Sequence, residues 1–123
     1  MTKTFVALGA ISGFVAVALG AFGAHALRDH LSVGMMEVYK TGVQYQMAHA
    51  LALLLVGLLA ERWRDNGLLR AVGWLFFAGT VLFSGSLYAL AISQVRVLGA
   101  ITPLGGRCLL AGWLTLAAAA IKS

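Results

Sequence analysis

The sequence predicts an all-α fold: four transmembrane helices packed as one bundle, a single domain. Two observations predict it. Hydrophobic residues make up 61% of the 123-residue chain and charged residues 11%, whereas soluble proteins carry about 25% charged residues. A soluble domain of this size leaves too much surface exposed to hide that apolar area, so the solvent of most of the chain is lipid. The apolar residues also fall into four long runs separated by short polar connections. Only helices and closed barrels satisfy their backbone polar groups in lipid. Barrels are built from short alternating strands, and these runs are long, non-alternating and rich in Leu and Ala.

The first helix is expected over residues 5–27. Lys3, a long apolar stretch and then Ala24-His25-Ala26 imitate a secretory signal with its cleavage site. The stretch is longer than a signal core of about 7–15 residues and long enough for a span of about 20, so it reads as a membrane helix. The second helix is expected over residues 33–61, its most apolar part being 43–60. Ser32 can cap its start. Leu31, Met35, Val38 and Gly42 then fall on one face, with Glu37 and Lys40 opposite. That pattern describes a helix lying first in the interface and then entering the membrane, a separate interfacial helix being the alternative.

The connection Glu-Arg-Trp-Arg-Asp-Asn at 61–66 is compact and charged. Trp63 suits the headgroup region, Gly67 permits a turn, and so short a link makes neighbours antiparallel. The third helix is expected over 68–92 and the fourth over 104–121, joined by a mildly polar segment with Gln94 and Arg96. Pro103 argues against regular helix just before the fourth span. Small residues at Gly9, Gly13, Gly20 and Gly23, and again at Gly85, Gly105 and Gly106, offer close helix contact, within one bundle or between copies in a homo-oligomer.

Four crossings put both termini on one side, with Lys3, Arg62, Arg64, Arg70 and Lys122. The other side holds Arg28, Lys40, Arg96 and Arg107. The positive-inside rule favours cytoplasmic termini by a narrow margin. The net charge of +5 does not indicate nucleic acid, because the basic residues are scattered between apolar runs and form no stripe. Cys108 is the single cysteine and reads as a small buried hydrophobe.

Polar groups inside spans are costly and therefore informative. At a rise of about 1.5 Å per residue, His25 is about 3 Å from the end of the first helix and His49 about 9 Å into the apolar part of the second. Tyr88 and Ser84 are about 6 and 12 Å from the end of the third, and Arg107 about 5 Å into the fourth. These positions share the half of the bilayer opposite the termini. Tyr45 and Gln46 share a face with His49, and Ser86 lies between Ser84 and Tyr88.

Three readings follow. One is an internal hydrogen-bond network joining the helices. Another is a pocket open to that side and lined by His25, Tyr45, Gln46, His49, Ser84, Ser86, Tyr88 and Arg107, where the histidines and Arg107 recognise an anion, a lipid headgroup or a quinone-like ring and a lipid or a partner membrane protein is received. The third is metal or haem ligation by His25 and His49. Two histidines are too few for a structural zinc site, nothing suggests covalent haem attachment, and a bis-histidine b-type haem, though geometrically conceivable, meets depths that favour a site near one surface, so no metal is expected. No cofactor is expected. Asp29, Glu37, Glu61 and Asp65 all lie in connections, so neither a serine triad nor a carboxylate-driven pump has its acid. The chain reads as non-enzymatic. A small transporter or channel component for an anion or small solute is the alternative, on the ground that Pro103 and Gly105-Gly106 could break the fourth helix.

Four segments carry a resemblance: Gly20-Ala-Phe-Gly-Ala-His25-Ala-Leu, Tyr45-Gln-Met-Ala-His49-Ala-Leu-Ala-Leu-Leu, Phe83-Ser-Gly-Ser-Leu-Tyr88 and Gly99-Ala-Ile-Thr-Pro-Leu-Gly-Gly106. In order and content they resemble domain-of-unknown-function family 423, small bacterial membrane proteins with animal relatives called transmembrane protein 256. The resemblance covers essentially the whole chain. It implies a four-helix protein of the bacterial inner membrane and implies no activity. Val33-Gly34 departs from the pattern, since Pro and an acidic residue often follow the serine.

Overall fold

A computed structural model describes residues 2–64 and 66–122. It is built from four helices: α1 (Thr2–Phe22), α2 (Val33–Arg62), α3 (Leu68–Ser93) and α4 (Thr102–Lys122). A π-helical turn, Gly23–Leu27, continues α1, and a 3₁₀ turn, Arg96–Ala100, precedes α4. All four helical segments are long and apolar enough to cross a membrane.

Local chemistry explains the helix ends. Ser32 caps α2, its Oγ accepting from the Met35 backbone N–H at 3.1 Å. The helix then runs unbroken for 30 residues, about 45 Å, which exceeds a hydrocarbon core of about 30 Å. Its first turns therefore project, with Glu37 and Lys40 exposed. No separate interfacial helix forms. Asn66 closes the α2–α3 turn by accepting from Leu68 N–H at 3.2 Å and donating Nδ2–H to the Ala119 carbonyl at 2.7 Å. Gln94 ends α3 in the left-handed conformation (φ 59°), its N–H bonded to the Leu90 carbonyl. The fourth helix starts earlier than its hydropathy suggested. Thr102 begins it and Pro103 occupies its first turn, where a missing N–H leaves no intrahelical bond unmade.

The helices pack in sequence order: α1 on α2, α2 on α3 and α3 on α4. More of α2 and α3 is buried than of α1 and α4, so the middle pair forms the centre and the outer two flank it. Phe5, Ala52, Leu53, Val56, Val72, Phe76 and Leu109 make the main core. Ala60, Leu69 and Ala119 make a smaller one beside the α2–α3 turn. Phe14 and Leu114, 75% and 74% exposed, point outward into lipid.

With lipid outside, burying Leu gains little, and contact energy comes from close backbone approach. At Gly9 a Cβ would stand 2.8 Å from the Ala50 carbonyl, and at Gly105 it would collide with the Phe83 backbone. Gly23 lies against the Tyr39 ring, whereas Gly13, Gly20 and Gly106 have ordinary clearance. Gly85 is exposed with nothing within 4 Å, so it opens no space inside the bundle. Gly42, Gly57, Gly73, Gly79 and Gly112, not marked as packing positions from the sequence, make contacts as close as Gly9 does.

Candidate functional site

Buried polar side chains form a ladder that runs along α2 and crosses between α3 and α4. At the α1–α2 end, the Tyr39 hydroxyl donates to the Leu19 carbonyl at 2.6 Å. The Tyr88 hydroxyl crosses from α3 and donates to Gln46 Oε1 at 2.6 Å, and Gln46 Nε2 donates to the Ser12 carbonyl at 3.0 Å. One amide thus joins α1, α2 and α3. The Tyr88 ring can reach it because Gly42, one turn before Gln46, leaves the ring its place. Ser84 Oγ donates to the Gly42 carbonyl at 2.7 Å. Ser86 donates to the Phe83 carbonyl at 2.9 Å, which makes its oxygen the acceptor for the Thr102 hydroxyl of α4 at 2.5 Å.

His49 ends the ladder. Trp113 Nε1–H of α4 donates to His49 Nε2 at 3.1 Å. An indole nitrogen can only donate, so Nε2 carries no proton. The ring is then neutral with its proton on Nδ1, which donates to the Tyr45 carbonyl at 2.8 Å. Rings surround it: Phe76 edge-on at 5.4 Å, Trp113 edge-on at 5.8 Å and Tyr45 stacked at 6.3 Å. Tyr45 itself is exposed and packs on Phe83.

His49 is 16 residues into α2, about 24 Å along the helix, opposite Trp113 midway along α4. The bonded set therefore extends from the α1–α2 end to mid-bundle. Two expected members are not part of it. His25 and Arg107 are both exposed, the first in the π-helical turn and the second on the outer side of α4. Of the eight residues, six share the bonded region and two face outward.

The sequence reading missed Tyr39, Thr102 and Trp113. Tyr39, between Glu37-Val38 and Lys40, and Trp113, in an apolar run, both look like interface aromatics. Cys108 is partly buried and free. Among the described residues no three His, Cys, Asp or Glu side chains gather to hold a metal ion. α4 continues unbroken through Gly105 and Gly106, which pack on Phe83, so the helix break that motivated a transport reading is not formed.

Among the described residues one buried hydroxyl stands outside the ladder. Thr80, on α3 one turn before Ser84, is 7% exposed, and its Oγ1 has no partner. Burying an unbonded hydroxyl costs about 1–3 kcal/mol. Thr80→Val, which keeps the shape, is expected to stabilise the fold by about 1 kcal/mol, read as a rise in the unfolding midpoint in mixed micelles.

Comparison with known proteins agrees with this architecture. A family model described as "Protein of unknown function (DUF423)" matches residues 19–106, a range that contains all four motif segments. The "UPF0382 membrane protein YwdK" of Bacillus subtilis is 50% identical over 120 residues, 98% of each chain. A "UPF0382 membrane protein" of Staphylococcus epidermidis is 49% identical over 98% of this chain and 97% of its own. A relative in Staphylococcus saprophyticus is 46% identical over 98% of both. No solved structure matches. A family model spanning most of the chain, end-to-end likeness to YwdK and four membrane-length helices together make this chain a member of the DUF423 family of bacterial membrane proteins.

Proposed function

We propose that this protein is a non-enzymatic component of the bacterial inner membrane that works by binding, a lipid or a partner membrane protein being the ligand, with its termini in the cytoplasm. The observation that carries this reading is the commitment of His49 and Gln46 to the fold. Both nitrogens of His49 and both ends of the Gln46 amide are bonded within the bundle. A general base or a transport ligand needs a group free to exchange partners. The ladder instead fixes helix positions, and recognition falls to the outer surface. The basic bias of the terminus-bearing end supports the orientation.

Native mass spectrometry of the protein released from its own membrane tests the reading. A retained lipid or a stoichiometric membrane subunit is expected. Proteoliposome flux above that of empty vesicles, abolished by His49→Ala, would refute it.

A further inference from the structure

At the terminus-bearing end, Arg62, Trp63, Arg64, Asn66, Gly67, Leu68 and Lys122 line an open groove of about 630 Å³. Its three cations come from separate parts of the chain: the last turn of α2, the α2–α3 turn and the last turn of α4. Asn66 brings them together, because its bond to the Ala119 carbonyl holds the end of α4 against the turn. The floor is apolar: Trp63 and Leu68 pack on the small core of Ala60, Leu69 and Ala119. Gly67 is exposed with nothing within 4 Å of a Cβ position, so a ligand can approach the start of α3 closely. That helix is 26 residues long, and its N-terminal dipole favours an anion. Glu61 lines an adjoining groove with Arg62 and Arg64, and Asp65 follows Arg64 in the sequence, so the three cations outnumber the two carboxylates of this stretch by one.

Clustered cations, a helix start and an apolar floor beside an indole match a phosphate attached to an acyl glycerol. We propose that this groove binds a phosphate group, carried by the headgroup of an anionic lipid such as phosphatidylglycerol. The assignment rests on the binding function above and names its ligand class. Each basic residue near an anionic headgroup contributes a factor of about five, so three contribute roughly 100-fold.

The test is native mass spectrometry of the full-length protein with phosphatidylglycerol, phosphatidylcholine and inorganic phosphate as separate probes. Expected is preferential retention of phosphatidylglycerol, lowered roughly 100-fold in R62Q/R64Q/K122Q. Retention should be preserved in R62K/R64K and in R28Q/K40Q/R96Q, which removes as much charge from the opposite end. Millimolar inorganic phosphate should not displace the lipid; if it does so fully, the groove is a free-phosphate site and the lipid assignment is overturned. Retention that survives the first triple substitution overturns the groove while leaving binding as the protein's function. Equal retention of both lipids by the wild type overturns the anionic-headgroup assignment, and retention of neither, with no co-purifying subunit, overturns both.

Discussion

Gly105→Val is expected to destabilise the bundle by about 3 kcal/mol, the upper part of the range for overpacked cores. Any Cβ at this position meets the Phe83 backbone nitrogen and comes within 2.8 Å of its Cα and 2.9 Å of the Gly79 carbonyl. These are main-chain atoms, so no side chain can swing aside. Relief requires α4 to move away from α3. That movement also pulls on the Thr102–Ser86 bond one turn away and on the Trp113–His49 bond further along. Reversible unfolding in mixed micelles gives the magnitude. Gly85→Val is the control. Nothing lies within 4 Å of its Cβ position, which is exposed, so a shift within about 0.5 kcal/mol is expected. Equal effects at both sites would show that the loss reflects helix propensity and not contact.

Gln46→Leu is the second large effect, with an expected cost of about 2 kcal/mol. Polar pairs between membrane helices average about 0.6 kcal/mol, with a maximum near 1.7. Gln46 makes two such bonds, one to α3 and one to α1. The substitution also strands the Tyr88 hydroxyl, and an unsatisfied group costs about 1–3 kcal/mol. Adding Tyr88→Phe removes the stranded hydroxyl, so the double variant is expected to be more stable than Gln46→Leu alone. Double-mutant coupling of about 1 kcal/mol would identify the pair as a structural bond. Additive single effects would mean that water or another group already serves both side chains.

Much of the architecture was legible before any coordinates, because lipid allows few solutions. Four apolar runs had to be helices, and short links had to make them antiparallel. Ser32 and the spacing of Leu31, Met35, Val38 and Gly42 marked where α2 starts. Rotation of each helix about its axis was not legible from hydropathy. In a soluble bundle the buried face is the apolar one, but in lipid both faces are apolar and the pattern disappears. For this reason hydropathy alone groups His25 and Arg107 with His49.

The signal that does encode rotation is the placement of small residues. On α4, Gly105 and Gly112 are buried against α3. Arg107 lies two residues from Gly105, about 200° around the helix, and so faces outward. On α1, Phe5, Gly9 and Ala16 mark the buried face, and Gly23 continues it in the π-helical turn. His25, two residues beyond Gly23, points away from it. On α2, Gly42, Gln46, His49, Leu53, Val56 and Ala60 share one buried face, which places Gln46 and His49 inside. Trp113 gave no such sign. It is 45% exposed, and only its N–H edge turns inward to His49.

The ladder's polar side chains are bonded within the bundle and not to a ligand. The His49 ring tests this most directly, through side-chain ¹⁵N NMR of the protein in lipid bilayers. The prediction is a neutral ring protonated on Nδ1, with Nε2 coupled to a Trp113 indole proton that exchanges slowly with water. A ring protonated on Nε2, or an indole proton lost to water within the dead time, would contradict it.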